Sequence, residues 1–310
     1  MSTKAEAADD CRLAGEADCE QHELTAGAHV VLDGLQAKPS LNGTSGTLLH
    51  LCANGERWAV ELPDGSIKVK PSNLRLHVRQ PLTIAREGLA ASLHARDYAI
   101  CDDFLTADDA SALHALLNEL RASLNAGDIA GGRAAAAYAR VTKQAPPRGD
   151  LMRFLDEEES TKHPEFRPVF AALDAMVGTL QASPLIASEW TASGSSSLAS
   201  SASPMRLSRE ETQLTCYPGS GARYVRHVDN NNNNGRHITC ILYSNPNWQP
   251  ADGGELRLYA RGRAVDVAPL ANRLVLFWSD ARVPHEVLPS HADRYAVSIW
   301  YCSRVPTGGE

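Results

Sequence analysis

The chain has 310 residues, which is long for one domain and predicts one sizeable core with an appendage. A hydrophobic content of 43% with 22% charged residues is typical of globular proteins, and the net charge of -7 argues against a nucleic-acid-binding surface. Seven cysteines without a Cys-x-x-Cys pair indicate neither a zinc finger nor a disulfide framework, and they favour a reducing compartment. No apolar run could cross a membrane and the acidic N-terminus is unlike a signal peptide, so we expect a cytoplasmic or nuclear protein without membrane contact.

The N-terminal quarter of the chain predicts a leader followed by a small β-barrel. Residues 1–22 are rich in Ala, Glu and Asp and lack an apolar period, which predicts a disordered leader. Over residues 23–78, short alternating runs are separated by the Asn-Gly and Asp-Gly pairs that β-hairpins favour. This pattern resembles the SH3-like barrels of multidomain proteins, and we interpret it either as a docking module for a partner protein or as a folded spacer. The predicted strands span residues 28–32, 46–51, 57–62 and 66–69.

Residues 79–95 are predicted to be a linker that is helical from Leu82 to Leu93. A short strand is predicted over residues 97–101. Thr106, with an aspartate three residues later, predicts the N-terminus of a helix that carries leucines at helical spacing.

Two further segments are predicted before the C-terminal third. Residues 166–180 carry an apolar stripe at helical spacing and are predicted to be a second amphipathic helix. Residues 183–204 consist mainly of Ser and Ala, and we interpret them as an inserted flexible loop.

Three residues of the C-terminal third have the composition of a metal site. His227-x-Asp229 is predicted at the end of a strand, where side chains of period two place both residues on one face. His285, carried by a later strand, would complete two histidines and one carboxylate on one side of a metal. Non-haem Fe(II) oxygenases use this arrangement, because it leaves the other side of the iron open. The asparagine run over residues 230–234 is predicted to be a hairpin loop.

An arginine follows the last of these histidines. A Pro/Ser/Asp turn separates His285 from Arg294, which predicts that Arg294 begins a strand antiparallel to the one carrying His285. Arg294 shares a face of this strand with Ala296, Ser298 and Trp300, and the two small residues leave room for a ligand. A buried guanidinium needs an acidic partner, and a ligand carboxylate suits its fork.

Several longer motifs resemble one family, the 2-oxoglutarate- and Fe(II)-dependent dioxygenases, and within it the oxygen-sensing prolyl hydroxylases that act on hypoxia-inducible factor. The resemblance covers roughly residues 96–303 and is densest after Leu214. The matching stretches are Tyr-Val-Arg-His-Val-Asp-Asn, Gly235-Arg-His-Ile-Thr-Cys-Ile-Leu-Tyr243, Gly253-Gly254-Glu-Leu256-Arg, Phe277-Trp-Ser-Asp and Arg294-Tyr-Ala-Val-Ser-Ile-Trp-Tyr.

The resemblance implies a mainly β, α+β fold: a double-stranded β-helix, or jelly roll, with supporting helices over residues 96–310, beside the SH3-like barrel. It implies a peptidyl-prolyl 4-hydroxylase that uses Fe(II), O2 and 2-oxoglutarate, with ascorbate as a supporting reductant. His227, Asp229 and His285 would hold the metal and Arg294 would bind the C5 carboxylate of 2-oxoglutarate. Further co-substrate contacts are expected from Tyr217, Tyr243, Leu256 and Ser298, although both tyrosines could instead be ordinary core aromatics.

Four residues are expected to contact a proline-containing protein substrate: Arg148, Asp150, Arg226 and Trp300. The first two belong to an Arg-Gly-Asp stretch that resembles the family's entry into a strand near the active-site mouth, next to a loop over residues 140–148. The alternative for that loop is a solvated basic surface without a role in binding.

Other functions stay open at this point. Nucleic-acid demethylases share the His-x-Asp, but they carry a second arginine soon after the anchoring one, whereas here the next arginine is Arg304. Collagen-type prolyl hydroxylases use a lysine as the anchor. A non-catalytic binding protein that keeps the fold is the third alternative. The animal oxygen sensors carry an N-terminal zinc finger instead of a barrel, so the substrate could be hypoxia-inducible factor, a ubiquitin-ligase adaptor or a translation protein. We expect a monomer.

Overall fold

The computed structural model describes residues 24–53, 55–79, 82–129, 133–134, 146–190, 206–231 and 234–303. The predicted leader and part of the loop over residues 140–148 lie outside these ranges. The chain divides into two compact units, Met1–His77 and Val78–Glu310. Among the described residues, no helix combines the length and the apolar character needed to cross a membrane.

The described strands of the first unit form one antiparallel sheet in the order β5-β1-β2-β3-β4. All four predicted strands are confirmed, and a fifth strand follows them. Gly65 turns the chain between two strands at φ +127°, where a side chain would be strained. The apolar side chains of the sheet form a small core that belongs to the first unit alone. The strands are β1 (His29–Leu32), β2 (Ser45–Leu51), β3 (Trp58–Leu62), β4 (Gly65–Val69) and β5 (Leu74–Val78).

The helices of the second unit are α1 (Leu89–Arg96), α2 (Ala107–Leu120), α3 (Glu157–Thr161) and α4 (Phe166–Ala182). Thr106 caps α2 as predicted, because its hydroxyl accepts a hydrogen bond from the Asp109 amide at 3.2 Å. The leucine stripe of α2 and the apolar stripe of α4 are buried in the core, so both helix predictions are confirmed.

The predicted linker is wrong in two respects. Its helix begins at Leu89, not at Leu82, because the preceding chain is extended there: the Ile84 amide donates to the Ile100 carbonyl at 2.9 Å. Leu89 and Leu93 of α1 are also buried in the core of the second unit, so this segment is part of that unit and not a spacer.

The strands of the second unit are β6 (Tyr98–Cys101), β7 (Asn125–Ala126), β8 (Asp128–Ile129), β9 (Arg133–Ala134), β10 (Leu151–Leu155), β11 (Leu207–Tyr217), β12 (Ala222–His227), β13 (Arg236–Tyr243), β14 (Leu256–Ala260), β15 (Arg263–Val267), β16 (Leu274–Trp278), β17 (His285–Ser290) and β18 (Arg294–Ser303). Within the described residues, β8 and β9 pair with each other alone, and the other strands form two antiparallel sheets.

The larger sheet has the order β6-β16-β13-β18-β11-β10-β7, and the smaller one the order β12-β17-β14-β15. Strands β11 to β18 therefore fill the two sheets in the interleaved order of a double-stranded β-helix, which confirms the predicted jelly roll. This arrangement of the strands shows that two predicted hairpins are wrong. β12 and β13 lie in different sheets, as do β17 and β18, so neither pair of strands forms a hairpin.

Strand β18 shows how the core divides. Its side chains alternate, so one face of the strand carries Arg294, Ala296, Ser298 and Trp300 toward the space between the sheets. The opposite face meets the helices: Tyr301 donates a hydrogen bond to Asp174 of α4 at 2.5 Å. One strand thus joins the helical layer to the inner cavity.

The predicted insertion over residues 183–204 is only partly described. Its first residues are ordered: Ile186 is fully buried and a 3-10 helix spans Ala187–Trp190. Ile186 anchors this stretch in the core, which contradicts the flexible-loop prediction there. Residues 191–204 lie outside the described residues.

Candidate active site

A cavity of about 470 Å³ lies between the two sheets of the jelly roll. Side chains from β10, β11, β12, β13, β14, β17 and β18 line it, and the four residues predicted from the sequence to act in catalysis are among them. A larger groove of about 760 Å³ lies between α4 and the start of β11, but none of its lining residues is a histidine or a cysteine. Among the described residues, the group of side chains placed to hold a metal lines the inter-sheet cavity.

His227, Asp229 and His285 meet at one end of this cavity. Their ligand atoms all lie within 4.8 Å of one another. The Nε2 atom of each histidine is 3.7 Å from Oδ1 of Asp229. Adjacent strands β12 and β17 bring the histidines opposite each other, since His227 and His285 are direct partners in the sheet.

The carboxylate of Asp229 is oriented by two side chains from the larger sheet. The Thr239 hydroxyl donates to Oδ2 at 2.7 Å and the Trp300 indole donates to the same oxygen at 3.1 Å. Oδ1 is left facing the histidines. Burial opposes ionisation of Asp229, but the two histidines and these two hydrogen bonds outweigh it and lower its pKa.

Both histidines are oriented by backbone carbonyls. Nδ1 of His227 lies 2.9 Å from the Val225 carbonyl, and Nδ1 of His285 lies 3.1 Å from the Val283 carbonyl. Each Nδ1 therefore donates a hydrogen bond to a backbone carbonyl, and Nε2 of each ring is left as the atom that can bind the metal. Burial, followed by the neighbouring His285, lowers the pKa of His227 to about 4, so this ring is neutral at pH 7.

This donor set fits Fe(II). Two imidazole nitrogens and one carboxylate oxygen are the ligands of the facial arrangement, which leaves other positions of a metal for further ligands. Tyr224 adds a ring against His227, with centroids 3.9 Å apart, and restrains that ligand from the side. The sequence pattern does not point to this stack, because nothing local to Tyr224 predicts which ring it faces.

Arg294 is buried, with 2% of its surface exposed. Its Nε donates to the Gly254 carbonyl at 2.6 Å, and its Nη2 donates to the Tyr243 hydroxyl at 3.2 Å. Within the part of the chain that the structure describes, no carboxylate forms an ion pair with this guanidinium. A buried cation with unused N–H groups in a cavity wall is suited to bind an anionic ligand.

The structure gathers the other predicted co-substrate residues around Arg294. The Tyr217 and Tyr243 rings lie 5.0 and 4.8 Å from its guanidinium carbon, and burial raises the pKa of both phenols, so both are neutral donors. Leu256 and Ser298 line the cavity as predicted.

The four predicted substrate residues are not all at the cavity. Arg148 and Trp300 line it, whereas Asp150 lies behind Arg148 and holds it in a bidentate ion pair at 2.7 and 2.6 Å. Arg226 is exposed on β12 and stacks over the Tyr259 ring at 3.8 Å, outside the cavity lining. Asp150 and Arg226 are therefore placed where they do not line the cavity, although direct substrate contact stays a prediction for all four.

Arg236 and Phe154 are not among the site residues predicted from the sequence, yet both line the cavity and both contact the Trp300 ring. The guanidinium of Arg236 lies over this ring at 3.8 Å, and the Phe154 ring centroid is 6.2 Å away. No local signal separates Phe154 from other strand aromatics, because its partner lies on a different strand.

A jelly roll whose cavity is lined by both a His-Asp-His group and a buried arginine is the arrangement of Fe(II) oxygenases that use 2-oxoglutarate. Residues 212–302 match the sequence profile of the 2OG-Fe(II) oxygenase superfamily, and they form such a domain in this chain.

Individual relatives are prolyl hydroxylases. Mouse "Prolyl hydroxylase EGLN3" is 53% identical over 96 residues, which cover 30% of this chain and 40% of that protein. A solved "prolyl hydroxylase in complex with hypoxia inducible factor oxygen degradation domain peptide fragment" from Trichoplax adhaerens is 28% identical, covers 70% of this chain and 89% of its own, and superposes with a TM-score of 0.56. A Pseudomonas putida prolyl-4-hydroxylase is 26% identical over 71% of this chain and all of its own, with a TM-score of 0.54. The chain thus spans well under two thirds of the curated relative that it matches.

Proposed function

We propose that this protein is a 2-oxoglutarate- and Fe(II)-dependent dioxygenase that hydroxylates a prolyl residue, at C4, in a protein substrate. One observation carries the proposal: a His-Asp-His group and a buried Arg294, which has no ion pair among the described residues, line the same cavity. A metal group and a cation in one cavity suit a dicarboxylate that chelates the metal with its 2-oxo acid and is held by its other carboxylate. The similarity to prolyl hydroxylases supports proline as the target.

The protein's part in this reaction is to bind, orient and exclude water. Bound iron and 2-oxoglutarate would together supply the oxidising chemistry, in which O2 is divided between the hydroxyl of the product and succinate, with loss of CO2. Asp229 would give the only anionic ligand, held in place by Thr239 and Trp300. Arg294 and Tyr243 would hold the C5 carboxylate. Ile241, Leu256 and Val287 supply apolar side chains to the cavity lining, which would limit access of water to the reacting C–H bond.

The substrate proline would enter beside Trp300. Its ring is flanked by Phe154 and covered by Arg236, and it also touches the carboxylate that holds the metal. An aromatic wall next to a metal suits the apolar pyrrolidine ring of proline, and Arg236 and Arg148 supply donors for the carbonyls of an extended peptide. Oxygen sensing would follow if activity rises steeply with O2 concentration.

The decisive experiment measures succinate formation from 2-oxoglutarate under Fe(II) and ascorbate, with and without proline-containing peptides. Mass spectrometry then locates the added oxygen, and peptides in which alanine replaces the proline serve as the control. We expect turnover to be coupled to 4-hydroxyproline. Uncoupled turnover with every peptide, and coupling to a methylated nucleic acid instead, would reassign the substrate. Absence of turnover with intact metal binding would favour a non-catalytic binding protein.

We further propose that the first unit is an SH3-like docking module for the protein substrate and that the enzyme acts as a monomer in the cytoplasm or nucleus. Five strands with a core of their own support a separate module, and the free cysteines among the described residues support a reducing compartment. Sedimentation of the full chain measures its mass in solution and so tests whether it is a monomer.

Proteins captured by the Mn(II)-substituted enzyme and identified by mass spectrometry would name the substrate.

A further inference from the structure

The double glycine that precedes β14 lies outside the cavity but touches the residue that would bind the co-substrate. Gly253 and Gly254 both have positive φ, at +62° and +68°. This is the region that residues with a side chain rarely adopt. Neither glycine is among the residues that line the cavity.

Three hydrogen bonds engage the backbone of Gly253 and Gly254, which together form a corner of the chain. The Trp248 indole donates to the Gly253 carbonyl at 3.0 Å, and the Gly254 amide donates to the Pro289 carbonyl at 2.9 Å. The Gly254 carbonyl accepts from Nε of Arg294 at 2.6 Å. These bonds join the segment before β14 to the end of β17 and to the first residue of β18, and they aim one carbonyl at the guanidinium.

The corner also has no room for a side chain. A Cβ on Gly254 would lie 2.9 Å from the Ser290 hydroxyl and 3.0 Å from Cδ of Arg294. A Cβ on Gly253 would lie 2.5 Å from the Pro289 carbonyl oxygen. The close approach of this backbone to the Arg294 stem is therefore possible only with glycine.

We propose that Gly254 is a positioning residue for 2-oxoglutarate: by engaging Nε, its carbonyl turns the guanidinium so that the Nη edge faces the cavity. An arginine has five N–H donors in a rigid plane, so holding Nε at one carbonyl fixes the direction of the other four. Nη2 donates one hydrogen bond to the Tyr243 hydroxyl. The other N–H groups of Nη1 and Nη2 are then left to bind both oxygens of one carboxylate. The inference rests on the proposed function, since it assigns the co-substrate to Arg294.

The test compares Gly254→Ala with Gly262→Ala in the full chain. Gly262 follows the same strand at φ +76°, and a Cβ there would meet no atom within 4 Å, so its substitution brings the same backbone strain without a clash. Calorimetry with the Mn(II)-substituted proteins measures the binding of 2-oxoglutarate and of pyruvate, a 2-oxo acid without the distal carboxylate. Steady-state assays give KM for 2-oxoglutarate and kcat.

We expect Gly254→Ala to weaken 2-oxoglutarate binding and to raise its KM about tenfold, equivalent to about 1.4 kcal/mol, with smaller change in kcat. Metal and pyruvate binding should stay at the wild-type level, and Gly262→Ala should bind 2-oxoglutarate normally. If Gly254→Ala does not fold, the Gly254→Ala/Ser290→Ala double variant removes the hydroxyl clash and keeps the contact with Arg294, with Ser290→Ala alone as its reference.

Arg294→Lys separates the two hypotheses. If Arg294→Lys weakens 2-oxoglutarate binding and Gly254→Ala does not, the positioning role is wrong and the proposed function stands. Wild-type binding of 2-oxoglutarate by Arg294→Lys would overturn the anchor assignment and the positioning role together. An equal loss of metal, pyruvate and 2-oxoglutarate in Gly254→Ala would make the corner a support of the fold and would also overturn the inference.

Discussion

Thr239 donates a hydrogen bond to Asp229 across the gap between the two sheets, over 2.7 Å. The bond ties the predicted metal-binding carboxylate, which follows β12 of the smaller sheet, to β13 of the larger one. Ser279 lies 2.8 Å from the same hydroxyl, and because the Thr239 proton goes to Asp229, Ser279 is the donor in that second bond. The carboxylate is thus held by a short chain of hydroxyls whose members come from different parts of the larger sheet.

Thr239→Val should weaken Fe(II) binding, because valine keeps the shape of the side chain and removes the donor to Asp229. Loss of such an outer hydrogen bond typically costs about 10- to 100-fold in metal affinity. Thr215→Val is the matched control, since that hydroxyl also faces the cavity but donates to the Ala296 carbonyl at 3.2 Å. Metal titration followed by fluorescence quenching measures both, and equal affinities in the two variants would contradict the role of Thr239.

Asp229→Ala should abolish hydroxylation and Fe(II) retention together, because it removes the only anionic ligand of the His-Asp-His group. Iron content after dialysis and succinate formation are the measurements. Asp280→Ala is the control, since that carboxylate pairs with Arg282 and does not line the cavity. Full activity of Asp229→Ala would remove the basis of the metal assignment.

Arg294→Lys should raise KM for 2-oxoglutarate by about tenfold or more, since lysine keeps the charge and loses the two-point fork. Fe(II) binding should stay largely intact, because Arg294 does not touch the His-Asp-His group. Arg257→Lys is a suitable comparison. Arg257 is buried like Arg294 and forms a bidentate ion pair with Asp266, but it lies outside the cavity lining. A variant that loses iron while its 2-oxoglutarate dependence is unchanged would show that Arg294 is not the anchor.

Asp150→Ala should lower the free energy of unfolding by about 3 kcal/mol, because it removes the bidentate carboxylate partner of the buried Arg148 guanidinium. Replacing both partners, as Arg148→Met/Asp150→Leu, should restore part of that loss, since no charge then stays buried. Urea denaturation of the three proteins measures the effect. A double variant as unstable as Asp150→Ala would indicate that lost packing, and not loss of the ion pair, causes the destabilisation.

A shortened chain that begins at Val78 should still fold, bind Fe(II) and turn over 2-oxoglutarate with a short proline peptide, because every residue of the proposed site belongs to the second unit. If the first unit docks the substrate, kcat/KM should fall for an intact protein substrate and not for the peptide, since the second contact that raises the local concentration is lost. Equal losses on both substrates would make the first unit a support of the catalytic unit. Unchanged values on both would leave it as a spacer.

Local patterns in the sequence were enough to predict most residues of the site. The alternation along a strand places Arg294 and Ser298 on one face, and the spacing of His227 and Asp229 aims both side chains at one cavity. The cap at Thr106 was also predictable, because capping is decided by residues three positions apart. These features depend on steric and hydrogen-bonding preferences within a few residues, which a sequence displays directly.

Only the tertiary structure decided which strands pair and therefore which side chains meet. The turn between His285 and Arg294 reads locally as a hairpin, yet burying both sheet faces of the jelly roll sends the two strands to different sheets. The same packing brings Thr239 and Trp300 to Asp229, and the Gly254 carbonyl to Arg294. Those contacts join residues well separated in the chain, and they form because closing the core satisfies buried polar groups, a requirement that no local pattern records.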